Sequence, residues 1–157
     1  MADAPEAYVA GLRLLARREL STPQLRARLI AKGCPPQDID AALDRLRAER
    51  ALDDRRMARA FASTAARLKN RGRLRILREL EAAGVDRETA RAAVDEVFDE
   101  VDEAAVLERA IAKRLRGPIR DEGHFRRMHQ YLIRLGFPPA AIVAALKARY
   151  RRAAPDE

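Results

Sequence analysis

The apolar residues of the chain recur at the three- and four-residue spacing that places side chains on one face of an α-helix. The full spacing i, i+3, i+4, i+7 occurs, for example, at Ile39, Ala42, Leu43 and Leu46 and at Ala90, Ala93, Val94 and Val97. No long run of β-branched residues alternates with polar ones, as a strand would require. The pattern therefore predicts an all-α chain.

Three glycines mark an internal repeat. Gly33, Gly84 and Gly136 lie 51 and 52 residues apart, and apolar residues stand at fixed distances from each of them. The positions four and eight residues before each glycine are Leu29, Leu80 and Leu132, and Leu25, Ile76 and Met128. The positions six and ten residues after are Ile39, Ala90 and Ile142, and Leu43, Val94 and Leu146. A period of this length indicates one supersecondary unit copied along the chain.

Each copy has room for three helices, so we expect three tandem three-helix repeats. Their predicted ranges are residues 1–53, 54–103 and 104–152, followed by a disordered tail at 153–157. A unit of about 50 residues buries little surface alone, so neighbouring units should lean on one another. We therefore expect an elongated, curved module of nine helices.

Helix ends are predicted from capping residues. Asp53 or Asp54 is expected to cap the first helix of the second repeat, because a carboxylate accepts hydrogen bonds from orphan backbone N–H groups there. Thr22-Pro23 predicts a cap followed by a first-turn proline. Gly84 predicts a left-handed residue after a helix. His124 is placed in the turn that enters the second helix of the third repeat.

Two buried faces are predicted from the same spacing. The helix after Asp54 is expected to bury the stripe Phe61, Thr64, Ala65 and Leu68. The first helix is expected to turn Leu12, Leu15 and Ala16 inward.

The charge of the chain is strongly positive and unevenly distributed. The net charge is +8, and 28 of the 32 basic residues are arginine. Residues 55–78 contain nine basic residues and no acid, residues 79–103 two basic and ten acidic, and residues 104–152 twelve basic and three acidic. An anionic partner, nucleic acid first, is therefore expected. The acidic block from Asp95 to Glu108 indicates either a basic protein partner or screening of the chain's own arginines.

The basic clusters supply the candidate binding residues, because arginine holds phosphate in a bidentate manner. Those in the middle of the chain lie at a predicted helix start, where backbone N–H groups also favour an anion. The candidates are Arg67, Lys69, Arg71, Arg73, Arg75, Arg78, Arg126, Arg127, Arg134, Lys147, Arg149, Arg151 and Arg152. A solvated helix face is the alternative interpretation of each cluster. Since no acid offsets Arg71, Arg73, Arg75 and Arg78 within their segment, charge reversal at Arg73 and Arg75 is expected to weaken binding while leaving the helix content intact.

Catalysis and cofactor binding have no sequence support. Two histidines and one cysteine, Cys34, show no zinc-ligand spacing, and phosphate-binding glycine loops are absent. We expect neither an enzyme nor a bound cofactor. The lone cysteine fits a reducing cytoplasm. No signal peptide is apparent, and no apolar run reaches the ~20 residues of a membrane span.

Two motifs carry a resemblance to a known family. The pattern Leu52-Asp53-Asp54-Arg55-x-x-Ala58 is followed by Gly72-x-x-x-Ile76-x-x-Glu79-Leu80-x-x-x-Gly84. Together with the repeat, these motifs resemble the RecX family of bacterial regulatory proteins over roughly residues 8–150. Met57 stands where the family often has an aromatic residue, which is an exchange of one apolar side chain for another.

The resemblance implies a function as well as a fold. Proteins of this family bind the RecA recombinase and the groove of its filament on single-stranded DNA, and they inhibit recombinase and coprotease activity. The expected partners are therefore RecA, its nucleoprotein filament and DNA, with single strands preferred and duplex bound weakly. The implied setting is homologous recombination, DNA repair and the SOS response. No heptad seam predicts a dimer, so we expect a monomer.

A helix-turn-helix transcription regulator is the alternative function. The spacing Leu29…Gly33…Ile39 resembles that motif, and the third helix of a repeat would then enter the major groove. In the first two repeats that helix carries the acids Asp38, Asp40, Asp44, Glu88, Asp95 and Glu96. These carboxylates would repel phosphates, which disfavours this alternative.

Overall fold

A computed structural model describes the backbone of residues 4–153 and the side chains of residues 6–150. Over that range the chain forms nine α-helices and no strand, which confirms the all-α prediction. In chain order the helices are α1 Ala4–Arg17, α2 Thr22–Ala31, α3 Pro36–Ala48, α4 Asp54–Arg67, α5 Arg73–Ala82, α6 Arg87–Glu100, α7 Glu103–Arg114, α8 Glu122–Arg134 and α9 Pro139–Ala153. None of these helices is both long enough and apolar enough to cross a bilayer. The predicted tail lies largely outside the described residues.

The repeat register is confirmed by burial. Leu29, Leu80 and Leu132 are each 0% exposed. The other aligned apolar positions are buried too: Leu25, Ile39, Leu43, Ile76, Ala90, Val94, Met128, Ile142 and Leu146. The three marker glycines have φ values of +84°, +86° and +94°, so each ends its helix in the left-handed conformation that glycine tolerates.

The helices pack into two compact units. One contains the chain up to Phe61 together with Glu79–Ala93, and the other contains Ala62–Arg78 and the chain from Val94 onward. In the first unit α1 packs against α2 and α3. The core there consists of the buried side chains of Leu20, Leu25, Leu29, Ile39, Leu43, Leu46 and Leu52.

The inward face of α1 differs from the predicted one. Leu15 packs against the core as predicted, but Leu12 is 36% exposed and Ala16 is exposed. Ala7 and Gly11 are buried instead. A Cβ at Gly11 would stand 2.8 Å from Leu46 Cδ1. Small residues therefore let α1 approach α3 closely, and the bulkier side chain of Leu12 is left on the rim.

The start of α2 is fixed by Ser21, so the predicted Thr22 cap is wrong by one residue. The Ser21 hydroxyl accepts from the N–H of Gln24 at 3.2 Å, and the Gln24 amide oxygen accepts from the N–H of Ser21 at 3.0 Å. This reciprocal pair is a capping box. The same hydroxyl donates to the carbonyl of Ala83, at the end of α5, and Ser21 is fully buried there.

The buried stripe of α4 is also different from the predicted one. Ala65 is buried as expected, but Phe61 is only partly buried and Leu68 is 76% exposed. The residues that are buried instead are Met57, Ala58, Ala62 and Ala66. An alanine face permits close helix packing, and the packing follows that face in preference to the larger but sparser apolar side chains.

In the second unit α8 packs against α7 and α9, and its C-terminal end meets the start of α5. The N–H of Gly72 donates to the carbonyl of Leu135 at 2.7 Å, and the N–H of Leu74 donates to the carbonyl of Gly136 at 3.1 Å. The orphan N–H groups of one helix thus satisfy the orphan carbonyls of another. A Cβ on Gly72 would lie 2.5 Å from the Gly136 oxygen, so this contact requires glycine.

The start of α8 differs from the other two second helices. Asp121 caps it by accepting from the N–H of His124 at 2.8 Å. His124 therefore lies in the first turn of the helix, not in the turn before it, and its Nδ1 accepts from the N–H of Arg120 at 3.3 Å. The predicted position of His124 in the turn before the helix is therefore wrong.

Candidate nucleic-acid and partner interface

The paired acids at the start of α4 serve two different helices. The Asp53 carboxylate accepts from the N–H groups of Arg55 and Arg56 at 3.0 and 3.1 Å, so Asp53 is the cap of α4. Asp54 Oδ1 accepts from the N–H and the hydroxyl of Thr22 at 2.7 and 3.1 Å. The two neighbouring carboxylates thus both accept hydrogen bonds from the starts of helices.

Arg56, at the start of the basic segment 55–78, stabilises the fold. Arg56 Nε donates to Glu19 at 2.7 Å, and Arg56 also donates to the carbonyls of Arg50 and Ala51 at 2.8 and 3.1 Å. The hydrogen bond to Glu19 raises the pKa of the Arg56 guanidinium. Arg56 therefore joins the end of α1 to the loop before α4.

Arg73 holds the centre of the predicted binding cluster, within the second unit. Its guanidinium pairs with Asp95 and, at 3.7 Å, with Glu103, and it lies 5.3 Å from the centre of the Phe98 ring. Its backbone N–H donates to Glu103 at 3.4 Å. Arg73 consequently attaches the start of α5 to the acids that follow it in sequence.

The other basic residues near Arg73 in sequence differ in their contacts and in their exposure to solvent. Arg67 donates to Glu100 at 3.0 Å and to the Ser63 hydroxyl at 3.1 Å. Arg75 Nη1 donates to the carbonyl of Arg134 at 3.4 Å, which brings a candidate of the second repeat to one of the third. Arg71 and Arg75 are half-buried, whereas Lys69 and Arg78 are exposed.

The acidic block screens arginines of the same chain. Asp95 and Glu103 bind Arg73, Glu100 binds Arg67, and Glu108 binds Arg149. Asp102 caps α7 by accepting from the N–H of Ala104 at 3.1 Å. Of the two interpretations drawn from the sequence, these pairs support screening.

The candidates of the third repeat fall into two groups. Arg126, Arg127 and Arg134 are exposed along α8, and Lys147 is exposed on α9. Arg149 is held by Glu108 and by the carbonyl of Ala145 at 3.1 Å. The side chains of Arg151 and Arg152 lie outside the described residues.

The loop between α4 and α5 has a support that the sequence patterns missed. Asn70 has φ of +50°, a left-handed conformation that asparagine tolerates better than most residues. Its side-chain oxygen accepts from Arg109 Nε at 3.2 Å, and Arg109 also donates to the carbonyl of Ala66 at 3.5 Å. Arg109 thereby fixes the loop that carries Lys69 and Arg71. An asparagine in a helix-breaking position was the available signal.

No group of three or more His, Cys, Asp or Glu residues in the described part of the chain is arranged to hold a metal ion. Cys34 is partly buried and unbonded to sulfur. The chemistry that this surface offers is ionic and hydrogen-bonding contact, supplied by guanidinium and ammonium groups on α5, α8 and α9.

Comparison with known proteins gives matches over most of the chain. Residues 7–46 match the family model of the first three-helix domain of RecX, and residues 53–94 match that of the second. The chain is 37% identical over 127 residues to the regulatory protein RecX of Chromohalobacter salexigens, covering 80% of this chain and 81% of that protein. It is 33% identical over 147 residues to the RecX of Geobacillus kaustophilus, covering 92% of this chain. The chain spans about half the length, 54%, of that second relative.

A solved structure shows the same fold. The crystal structure of RecX from Lactobacillus salivarius superposes with a TM-score of 0.74 over 93% of this chain and 97% of that one, at 17% sequence identity. The helical repeat architecture is therefore shared although the sequences have diverged widely.

Proposed function

The chain belongs to the RecX family of regulatory proteins, and from that membership we propose that it regulates a bacterial RecA recombinase. It binds RecA and the RecA filament on single-stranded DNA and inhibits recombinase and coprotease activity. Its setting is homologous recombination, DNA repair and the SOS response, in the cytoplasm. The match of both three-helix domains to the family models is the observation that carries this proposal.

The exposed basic residues of the second unit supply the contact. Lys69 and Arg78 face solvent, and Arg71 and Arg75 stand beside the anchored Arg73. Arg126, Arg127, Arg134 and Lys147 extend the positive surface along α8 and α9. A filament of protein on DNA presents many phosphates and acidic side chains, so such a surface gains attraction and a faster encounter with it.

The pairs made by Arg73 change one expectation drawn from the sequence. Reversal of Arg73 was expected to leave the fold intact, because no acid lies in its own segment. A glutamate at this position would instead face Asp95 and Glu103, and like charges would meet. Arg73 is thus a positioning residue, and Arg78 and Lys69 are the better probes of binding.

The transcription-regulator alternative is opposed by the surface of α3 and α6. Asp40 and Asp44 are exposed on α3, as are Asp95 and Glu96 on α6. Asp40, Asp44 and Asp95 each pair with an arginine of the chain, but their carboxylates still lie on the surfaces where a recognition helix would meet phosphates. The helix-turn-helix spacing is accordingly assigned to the packing of a repeat.

Co-sedimentation tests the proposal. The chain is mixed with cognate RecA filaments on single-stranded DNA, with the naked strand and with random duplex, at one salt concentration. We expect it to pellet with the filament, to bind the bare strand less and duplex least, without a cofactor. Absence from the filament pellet, combined with tight binding to one duplex sequence, would overturn the proposal in favour of a transcription regulator. Light scattering of the free chain should give the mass of a monomer.

A further inference from the structure

An open groove lies between α8 and α9 in the third repeat. It has a volume of about 310 Å³ and is lined by Glu122, Phe125, Lys147 and Tyr150. Tyr150 is 42% exposed and Phe125 is half-buried, so two aromatic rings border the same solvent-open space. None of these four residues takes part in the ion pairs that hold Arg73 and Arg149.

Among the described residues, these two rings differ from the rings that have a guanidinium of the same chain over one face. Three rings have a guanidinium of the same chain over one face at 3.8–5.3 Å: Tyr8 under Arg45, Phe98 under Arg73 and Tyr131 under Arg114. Phe125 instead lies nearly parallel to His129, with ring centres 6.5 Å apart and planes inclined by 16°. The groove therefore presents flat apolar surfaces to an external group.

The charged residues of the groove indicate which class of ligand would bind there. Lys147 brings an ammonium group into the lining beside the two rings, and Glu122 brings one carboxylate. A ligand that is both planar and attached to negative charge fits this combination, and a nucleotide of a single strand has both properties.

We propose that this groove binds an unpaired nucleobase of single-stranded DNA, stacked on Phe125 and Tyr150 with its phosphates toward Lys147. This site deepens the proposed function, on which it rests, by giving the third repeat its own contact to the strand. Bases within a duplex already stack on each other, so only an unpaired base offers its face to the rings.

Glu122 determines how the strand is oriented in the groove. A carboxylate repels phosphate, so the backbone of the strand passes on the opposite side, near Lys147. Cytosine and adenine each carry an exocyclic amino group that can donate a hydrogen bond to this carboxylate. Thymine has no such amino group. The site therefore favours cytosine over thymine in a strand of equal length.

The direct test uses the full chain and three labelled oligonucleotides of about 20 nucleotides: a natural single strand, an abasic strand with the same phosphates, and a duplex. Fluorescence anisotropy at fixed salt measures each affinity. Because stacking on aromatic side chains contributes substantially per base, the abasic strand should bind about 5- to 100-fold more weakly. Equal affinity for the natural and abasic strands would overturn the assignment.

Matched variants separate stacking from charge. Tyr150→Leu and Phe125→Leu should each weaken natural-strand binding by about 5- to 100-fold and leave the dependence on salt unchanged. Tyr150→Phe keeps the ring and should bind like the parent. Lys147→Gln should instead flatten the salt dependence, because about one fewer counterion is released. Circular dichroism melts show whether each variant is folded, and the abasic comparison on the parent protein does not depend on them.

Failure of this site and failure of the proposed function give different results. If the parent chain binds RecA filaments but Tyr150→Leu and Phe125→Leu bind the strand as the parent does, only the groove assignment is overturned. If these variants lose filament binding while strand binding persists, the groove holds protein and the assignment is likewise overturned. A chain that inhibits no filament but retains base stacking would refute the proposed function alone.

Discussion

The carboxylate of Asp54 accepts a hydrogen bond from the backbone N–H of Thr22 at 2.7 Å, across 32 residues of sequence. Its neighbour Asp53 caps α4. Two adjacent acids thus satisfy the free N–H groups of two helix starts, α2 and α4. Leu52, just before them, is buried in the core of the first unit. The motif from Leu52 to Arg55 therefore joins two helices, and its role is in folding.

Removal of the Asp54 carboxylate tests this role. Asp54→Ala should lower the free energy of unfolding by about 1 kcal/mol, because the N–H of Thr22 loses its acceptor. Asp54→Asn retains a side-chain oxygen and should lose less. Urea unfolding measures both, and equal midpoints for the parent and the alanine variant would contradict the account.

Two glycines with nearly equal backbone conformation offer a matched pair. Gly33 and Gly136 have φ values of +84° and +94°, but a Cβ at Gly33 meets nothing within 4 Å while one at Gly136 would overlap the backbone of Arg75. Gly33→Ala should cost about 1–2 kcal/mol from the left-handed conformation alone. Gly136→Ala should cost clearly more, since α5 must also move. Thermal melts with equal losses would show that the helix contact at Gly72 and Gly136 is loose.

Leu80 and Leu68 form a second matched pair. Leu80 is fully buried, so Leu80→Ala should destabilise the chain by roughly 2–5 kcal/mol. Leu68 is 76% exposed, and Leu68→Ala should leave the unfolding midpoint almost unchanged. Denaturant unfolding of both variants checks the repeat register. An unchanged Leu80→Ala midpoint, or a large Leu68→Ala loss, would refute it.

The repeat was predictable because the positions around each glycine combine large apolar residues with an invariant spacing. Leu29, Leu80 and Leu132 each stand four residues after another apolar residue, namely Leu25, Ile76 and Met128. On α4 two stripes were available, and choosing between Leu68 and the alanines required knowing how closely another helix approaches. The limits of the repeats at residues 53 and 103 stay a prediction, which limited proteolysis would test by cleavage at those two loops.

The site was less predictable than the fold for an electrostatic reason. The segment 55–78 has no acid of its own, so its charge appeared uncompensated. Arg73 meets acids that lie 22 and 30 residues further along, and only tertiary packing brings Asp95 and Glu103 to it. Charge counts along a sequence do not contain that information. The aromatic groove at Phe125 and Tyr150 was missed because their pairing also depends on helix packing.

Acid titration should reveal the cap of α8. The hydrogen bond from the His124 N–H holds the pKa of Asp121 below its usual value. A depressed folded-state pKa gives stability that is present above the unfolded pKa of about 4 and is lost as pH falls through the folded pKa. Asp121→Asn keeps an acceptor that does not titrate. Its melting midpoint should therefore fall less than that of the parent below about pH 4, and parallel curves would contradict the assignment.

Charge reversal distinguishes Arg73, which stabilises the fold through ion pairs, from Arg78, which we propose contacts the filament. Arg73→Glu should lower the melting temperature, because its carboxylate would face Asp95 and Glu103. Adding Asp95→Arg to Arg73→Glu should recover part of that loss. Arg78→Glu removes an exposed charge and should leave the melting temperature nearly unchanged while weakening the binding of the filament. If Arg73→Glu melts like the parent, the ion pairs do not hold α5.

The central claim is that this chain restrains a RecA filament, and the hydrolysis of ATP by cognate RecA on single-stranded DNA measures that restraint most directly. We predict that the rate falls as the parent chain approaches stoichiometric amounts, and that the doubly reversed Lys69→Glu, Arg78→Glu chain requires several-fold higher concentrations for the same decrease. An unchanged rate at stoichiometric amounts of the folded parent chain would contradict the claim.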